Sequence, residues 1–441
     1  MGTKIGVGLL GLGTVGAGVV KILRSPQGRH PLVQELELAR VAVRDLGRPR
    51  PVTIPLDQLT TDPKAVVDDP AVQVVVEVIG GIEPARSLIM RAVAAGKSVV
   101  TANKAVIARH GEEITAAAAT AGVYVLTEAA VGGGIPIIEP LKQFLGANRI
   151  QRVSGIINAT TNYILSRMAQ DEIAYDAVLE EAQAYGYAEL DPSADVNGLD
   201  AADKIAILAG LAFGGSIDRA SVSTVGISNL QRCDVDYAGR LGYNIKLLST
   251  AERTAQEPNL NMKISQPLAV YVCPTLIPKN HLLADVNGVN NAILVEGEPI
   301  GQLMFHGPGA GAGPTASAIV GDILNIASIC RLHNNRLSYL PTVSNWQNCH
   351  LVQQEKIQQR NYIRIQTHHN HDVAERVSNI LNNQGVPIQS VTRFDTANSN
   401  DGDTEIIIIS HKVSRQQIST ALRSIKALRE VTCLAAHLNC L

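Results

Sequence analysis

Aromatic residues are scarce in this 441-residue chain: one Trp, four Phe and ten Tyr amount to 3%. That excludes the stacking platforms on which single-stranded nucleic acid is bound. No excess of charge of either sign exists. Lys and Arg number 38 against 40 Asp and Glu, a formal charge of -2, so no overall field draws the chain to nucleic acid or to an anionic membrane. Six cysteines (Cys233, Cys273, Cys330, Cys349, Cys433, Cys440) form no CxxC pair. Their scatter argues against a structural zinc site and a disulfide framework, and a reducing, cytoplasmic compartment is expected. The eleven His residues show no HExxH or other ligand spacing. The apolar run Ile205–Ile217 is too short for the roughly 20 residues that cross a bilayer.

What is present is alternation. Apolar runs of strand length at residues 3–10, 36–43, 72–79, 97–100 and 123–126 are separated by helical stretches, among them 84–95 and 108–121. Strands alternating with helices predict crossover units and a doubly wound parallel sheet over residues 1–135. Residues 136–331 mix both element types. A strand is expected at 150–158, helices at 160–185 and 197–212, several short strands within 264–296, and a helix at 315–331 behind the Gly-rich loop Gly307–Gly313. Residues 332–357 are polar and read as a linker. Residues 358–441 follow the order βαββαβ, a ferredoxin-like module. Such a complete two-layer unit is expected to fold on its own, so that deleting 358–441 leaves a competent core.

The first strand runs into Gly11-Leu12-Gly13-Thr14-Val15-Gly16 and then a helix. In that context GxGxxG is a dinucleotide fingerprint. Gly11 permits the tight turn, Gly13 lets backbone approach a pyrophosphate, and Gly16 lets helix and strand pack closely. The second strand ends Val43-Arg44-Asp45. An acid here suits a ribose 2′-hydroxyl and an arginine suits a 2′-phosphate. Both are present, but residues 1–50 hold eight Lys and Arg against three acids, which favours NADP(H), with NAD(H) as the alternative.

The segment from Gly186 to Lys204 carries five carboxylates and one lysine. Asp200 and Lys204 lie i, i+4 on one helix face. A solvated ion pair there would contribute only a few tenths of a kcal/mol. The helix continues as Ile205-Ala206-Ile207-Leu208-Ala209, so Lys204 leads into a buried segment. An ammonium held by acids beside a cofactor is a natural proton donor to a carbonyl oxygen receiving hydride. The other acids suit a substrate with its own ammonium. Thr101-Ala102-Asn103-Lys104 follows a parallel strand at its carboxyl end, where ligands bind in such sheets. Glu128-Ala129-Ala130-Val131-Gly132-Gly133-Gly134-Ile135-Pro136 follows the last strand and suits either a hard cation or a hinge.

These segments together resemble the homoserine dehydrogenase family over essentially the whole chain. The matching stretches are Gly8–Gly16, Gly80-Gly81-Ile82-Glu83-Pro84-Ala85, Thr101–Lys104, Gly155–Leu165, Glu189–Lys204 and Gly307-Pro308-Gly309-Ala310-Gly311. The resemblance implies a Rossmann-type sheet, an α+β catalytic and dimerisation domain and a C-terminal ACT domain. It implies reversible reduction of aspartate 4-semialdehyde to homoserine with NAD(P)H, on the way to threonine, methionine and isoleucine. By position, Lys204 looks like the proton donor and Lys104 like the second lysine, at substrate and nicotinamide. Glu189 and Asp200 resemble substrate-binding acids, with Asp195 supporting. Gly11, Gly13, Thr14, Val15, Gly16, Arg44, Gly186, Gly309 and Gly311 look like cofactor contacts. Glu128 and the backbone oxygens of Val131, Gly133 and Ile135 resemble the family's sodium site. A homodimer or homotetramer is implied. Ala159 departs from the family's usual Gly. The tail's first turn reads His369-Asn370-His371-Asp372-Val373, with Asp372 at the expected Gly, so weak or absent inhibition by threonine is expected.

Two other readings share this architecture. A semialdehyde dehydrogenase needs a thiol nucleophile beside the nicotinamide, and no cysteine precedes Cys233. A nucleotide-sensing regulator without turnover would not need Glu189, Asp200 and Lys204 together.

Overall fold

The computed structural model describes residues 4–254, 267–332, 347–348, 351–367, 372–395 and 404–441. Most of the expected linker 332–357, and His369, Asn370 and His371 of the tail's first turn, lie outside the described residues. The chain divides into two compact units. One gathers Met1–Val153, Asp203–Ser221 and Asn290–Cys349; the other gathers Ser154–Ala202, Val222–Val289 and His350–Leu441.

The first unit is built on a parallel sheet of β1 (Ile5–Leu10), β2 (Leu36–Ala42), β3 (Leu59–Thr60), β4 (Val74–Glu77), β5 (Ser98–Thr101) and β6 (Val125–Leu126), in the order β3-β2-β1-β4-β5-β6. That is the doubly wound order of a Rossmann fold. Both faces are covered, which is why the strands read as unbroken apolar runs. Val74, Val76 and Val100 point into one core with the helices Thr14–Arg24 and Ala312–Leu332, whereas Val75 and Val99 point into another with the helices Ala85–Ala94 and Lys104–Ala121. The late helix Ala312–Leu332 therefore completes a layer begun by residue 14. Gly18 permits this approach: a Cβ there would stand 2.6 Å from the Ala312 carbonyl oxygen.

In the second unit, Tyr243–Arg253 pairs antiparallel with Leu268–Pro278 in a register running from Tyr243↔Pro278 to Arg253↔Leu268. Leu268–Pro278 is long where short strands were expected, and Tyr243–Arg253 lies outside the expected strand region 264–296. The expected helix 160–185 is two, Ala159–Asp171 and Tyr175–Ala184, interrupted at Glu172 in left-handed backbone (φ 54). Lys246, on the strand Tyr243–Arg253, is buried. Its Nζ donates to Asn162 Oδ1 (3.1 Å), Ser166 Oγ (3.4 Å), the Val286 carbonyl (2.6 Å) and Asn287 Oδ1 (2.9 Å). None of these acceptors is charged, and burial pushes the ammonium down to about 8 against the pull of Asp285. An unfolded lysine titrates near 10.4, so the unfolded chain binds more protons between these values and stability rises with pH across that window. Relative to Lys246→Met, the wild-type chain is expected to gain about 3 kcal/mol from about pH 8 to about pH 10.5 in urea unfolding. Parallel pH profiles for the two proteins would show that Lys246 is not desolvated.

The tail forms the expected βαββαβ order: Gln358–Thr367, helix Val373–Asn383, Ile388–Asp395, Thr404–Ser410, helix Arg415–Lys426 and Val431–Cys440. Numbered within the tail, the strands lie 4-1-3-2, and their core packs against the two helices. The tail also makes contacts beyond its own core. Val431–Cys440 pairs in parallel with Leu268–Pro278 at Thr275↔Asn439 and Leu276↔Cys440. Arg364, fully buried, donates from Nε to Asp234 Oδ1 (2.8 Å), from Nη1 to Glu405 Oε1 (2.6 Å) and from Nη2 to Gln231 Oε1 (2.7 Å). Two of those partners belong to the helix Arg232–Arg240 or its N-cap. A buried ion pair and a continued sheet join the tail to the rest of its unit.

Candidate active site

In the first unit the loops that follow the parallel strands gather at one edge. Leu10, Glu77 and Thr101 are side by side in register, so the turns after β1, β4 and β5 emerge together. Gly11 has φ +103, and a Cβ there would press 2.8 Å from the Val78 carbonyl oxygen. Around Gly13 nothing lies within 4 Å of a Cβ position, which leaves its backbone open to a ligand. At Gly16 a Cβ would stand 2.3 Å from the Gly11 carbonyl oxygen. Gly13 caps the helix Thr14–Arg24 without a side-chain bond, and no acid occupies the first turn. The amides of Thr14, Val15 and Gly16 are thus left for an anion at the positive end of the helix dipole.

At the end of β2, Arg44 and Asp45 are both exposed. Asp45 Oδ1 accepts from the Gly47 amide (2.8 Å), and Arg50 turns onto the Asp45 backbone carbonyl. At the end of β4, the buried Glu77 accepts from Thr101 Oγ1 (2.6 Å) and from the Ile79 amide (2.8 Å). Asn103 donates to the Gly81 carbonyl (2.7 Å) and caps the helix Lys104–Ala121 through the Val106 amide (3.3 Å). Glu77 escaped the sequence reading, and Asn103 entered it only within Thr101-Ala102-Asn103-Lys104. An acid ending a Val-rich strand carries no periodic signal, and its partner Thr101 is 24 residues away. Lys104 occupies the first helical turn, where a cation opposes the dipole at a cost of about 0.3–1 kcal/mol. A lysine placed against the local field is better explained by chemistry than by helix stability.

After β6, Glu128 is buried, and its carboxylate accepts from the amides of Ile137 (2.5 Å), Ile138 (2.8 Å) and Glu139 (2.7 Å). Burial raises its carboxyl while those amides hold it down. Its own amide donates to the buried Asp322 (2.9 Å), whose carboxyl burial pushes well above the usual range. Gly133 and Gly309 interlock: a Cβ on Gly133 would lie 2.6 Å from Gly309 backbone, and one on Gly309 would lie 2.0 Å from the Asn291 side chain. Gly311 has φ +116 at the entry to the helix Ala312–Leu332.

In the second unit Asn158 is the hub. It caps the helix Ala159–Asp171 through the Thr161 amide (2.9 Å), and its Nδ2 donates to Asp195 Oδ1 (2.7 Å) and Asp200 Oδ2 (2.9 Å). Thr160 Oγ1 lies 2.7 Å from the Tyr187 carbonyl and 3.2 Å from Asp195 Oδ2. Two of the expected acids are thereby oriented by neutral donors. Asp200 is buried, Asp195 half-buried and Glu189 exposed. Gly186 sits in an exposed turn with φ +73. Ala159 is the first helical residue with no positive φ, so the extra methyl is accommodated. Asn158 and Thr160 were missed as site residues; Asn158-Ala159-Thr160-Thr161 reads only as a helix cap. Lys204, half-buried, stands one turn beyond Asp200 on the helix Leu199–Phe213.

Cys233, Cys273 and Cys440 are poorly suited to nucleophilic work. Burial raises the thiols of Cys233 and Cys440 and lifts that of Cys273 to about 11. No described helix is long and apolar enough to cross a membrane.

Comparison with known proteins agrees with this geometry. The family model for the homoserine dehydrogenase NAD binding domain matches residues 11–128, and that for homoserine dehydrogenase matches residues 136–324. A homoserine dehydrogenase of Synechocystis sp. is 51% identical over 427 residues, covering 96% of each chain. One from Bacillus subtilis is 38% identical over 429 residues, covering 97% of this chain and 96% of the other. The crystal structure of a homoserine dehydrogenase from Thiobacillus denitrificans superposes with a TM-score of 0.88 at 39% identity, covering 100% of this chain and 98% of that one. A hyperthermophilic archaeal homoserine dehydrogenase in complex with NADPH superposes with a TM-score of 0.60 at 25% identity, covering 76% of this chain and 100% of that one. With a dinucleotide turn on a doubly wound sheet, an acid cluster oriented by Asn158 and full-length relatives of one kind, this chain belongs to the homoserine dehydrogenases, NAD(P)-dependent oxidoreductases.

Proposed function

We propose that the chain reduces aspartate 4-semialdehyde with NADPH in preference to NADH, and that Lys204 protonates the developing alkoxide. The observation that carries the proton assignment is a half-buried lysine one turn from a buried carboxylate that Asn158 orients. The nicotinamide, when bound, supplies the hydride. The chain's residues do the rest. Amides at the start of the helix Thr14–Arg24 hold the pyrophosphate, with Gly309 and Gly311 bordering it. Glu189, Asp195 and Asp200 hold the substrate ammonium, Lys104 orients the substrate, and Lys204 delivers the proton. The product is an amino alcohol that feeds threonine, methionine and isoleucine synthesis in the cytoplasm. The βαββαβ tail serves as an ACT-type effector module, and the enzyme works as a homodimer or homotetramer.

NADPH preference is supported at the end of β2. Asp45, the residue that would read a 2′-hydroxyl, is already bonded by Gly47, while Arg44 beside it is exposed. A guanidinium binds a phosphate bidentately, worth about 1.5–3 kcal/mol. Arg44→Ser is therefore expected to raise KM for NADPH roughly tenfold or more while changing KM for NADH little. Equal losses with both cofactors, measured by initial rates, would remove Arg44 from this role.

The residues after β6 fit a monovalent cation such as sodium. Val131, Gly133 and Ile135 are buried, and among the described residues no donor reaches their carbonyls. Asn291, beneath Gly309, is fully buried with neither side-chain polar atom partnered among the described residues. The Glu128 carboxylate faces amides, so backbone oxygens would be the ligands and Glu128 would supply nearby charge.

A further inference from the structure

We infer that Asp203 is a positioning residue for the reduction: held between Arg109 and Arg219, it fixes the helix carrying Lys204 against the helix that begins at Lys104. The inference rests on the roles proposed above for these two lysines. Asp203 is 7% exposed. Its Oδ1 accepts from Arg219 Nε at 2.6 Å and its Oδ2 from Arg109 Nη1 at 3.2 Å. The same Arg109 nitrogen donates to the Ala105 carbonyl at 3.1 Å. One guanidinium thus binds the residue that follows Lys104 and the residue that precedes Lys204.

Packing alone does not set this separation. A cavity of about 690 Å³ opens beside the ion cluster, lined by Ile107, Arg109, Ile207, Leu211 and Arg219 among others. Across that cavity the two helices do not interdigitate, so contact between them does not set their separation. The carboxylate between two guanidinium groups supplies the stop. Reaction geometry is unforgiving: a misplacement of about 1 Å can cost about a hundredfold in rate. No contact with substrate or cofactor is required of Asp203.

The test uses the full chain with Asp203→Asn, Asp203→Glu, Arg109→Gln and the pair Asp203→Asn/Arg109→Gln. Asp203→Asn is expected to lower kcat about tenfold to a hundredfold, to leave KM for NADPH within about twofold, and to enlarge the deuterium isotope effect with 4-deuterated NADPH. Asp203→Glu should restore most of the rate. The double variant should be no slower than Asp203→Asn, because the two residues act through one contact. A variant with wild-type turnover would overturn the inference. So would a loss that follows the folded fraction in urea melts with an unchanged isotope effect. If Asp203→Asn does not fold, Arg109→Gln, which leaves the Arg219 contact, decides by the same signature at smaller size. An inactive wild-type chain would sink the functional reading itself; an active wild type with an unimpaired Asp203→Asn sinks only the positioning role.

Discussion

Lys204→Ala is expected to lower kcat by about two to four orders of magnitude, the usual loss when a general acid is removed. The fold should survive. Lys204 sits inside the helix Leu199–Phe213, where alanine is the best helix former, and it is half-buried rather than part of the core. A purely structural lysine one turn from Asp200 would give an ion pair worth at most about 1 kcal/mol, and its loss would shift the melting point while leaving turnover intact. Lys204→Arg separates the readings further. A guanidinium keeps the charge and can still pair with a carboxylate, but with a pKa above about 12 it cannot release a proton at neutral pH. Arginine should therefore restore stability and substrate KM without restoring kcat. Initial rates of NADPH oxidation with aspartate semialdehyde, beside a thermal melt of each variant, decide the matter. Near-normal turnover in either variant would remove Lys204 from proton transfer.

The parts of the molecule legible in its sequence are those whose signals are local. The Gly11–Gly16 turn announces itself through the strand before it and the helix after it, and Gly11 carries the positive φ that the turn requires. Strands β4 and β5 were legible because burial on both faces demands consecutive Val. The Asp200–Lys204 spacing sits on a continuous helix. What escaped depends on partners far apart in the chain. Arg364 lies in an alternating strand, Tyr362-Ile363-Arg364-Ile365, and that pattern sends every second residue to solvent. Here Ile363 and Ile365 enter the tail's own core, but the opposite face is buried too, because the helix Arg232–Arg240 supplies Asp234 from 130 residues away. Asn158 was hidden by a different ambiguity. A helix cap and a ligand-orienting amide look alike until the carboxylates that Nδ2 reaches are located. Asp372 stood out as an acid at an expected Gly, yet its backbone (φ −89, ψ −9) is one that any L-residue adopts.

Removing residues 358–441 is expected to abolish folding of the remainder rather than to release an unregulated enzyme. The strand Leu268–Pro278 would lose its parallel partner at Thr275 and Leu276, baring an apolar sheet edge of the kind that aggregates. The Tyr237 ring would lose Phe394, which stacks on it at 4.5 Å. The largest loss is electrostatic. Asp234 is fully buried, and without Arg364 it becomes a charge in an apolar interior with no counterion. Breaking a buried pair by removing one partner costs about 3–5 kcal/mol, a large part of the roughly 5–15 kcal/mol that holds a domain folded. Arg364→Met in the full chain isolates this effect. It should lower the unfolding free energy by about 3–5 kcal/mol in urea while leaving kcat of the folded fraction unchanged, since Arg364 belongs to none of the proposed site residues. Removing the charges together gives the opposite sign of evidence. Arg364→Met combined with Asp234→Leu and Glu405→Leu leaves no uncompensated ion, and apolar replacement of a whole buried cluster is often neutral or stabilising. The triple variant should therefore recover most of the stability that Arg364→Met loses. Unfolding of Arg364→Met within about 1 kcal/mol of wild type, or a soluble, fully active 1–357 fragment, would show that the tail is a separable module after all.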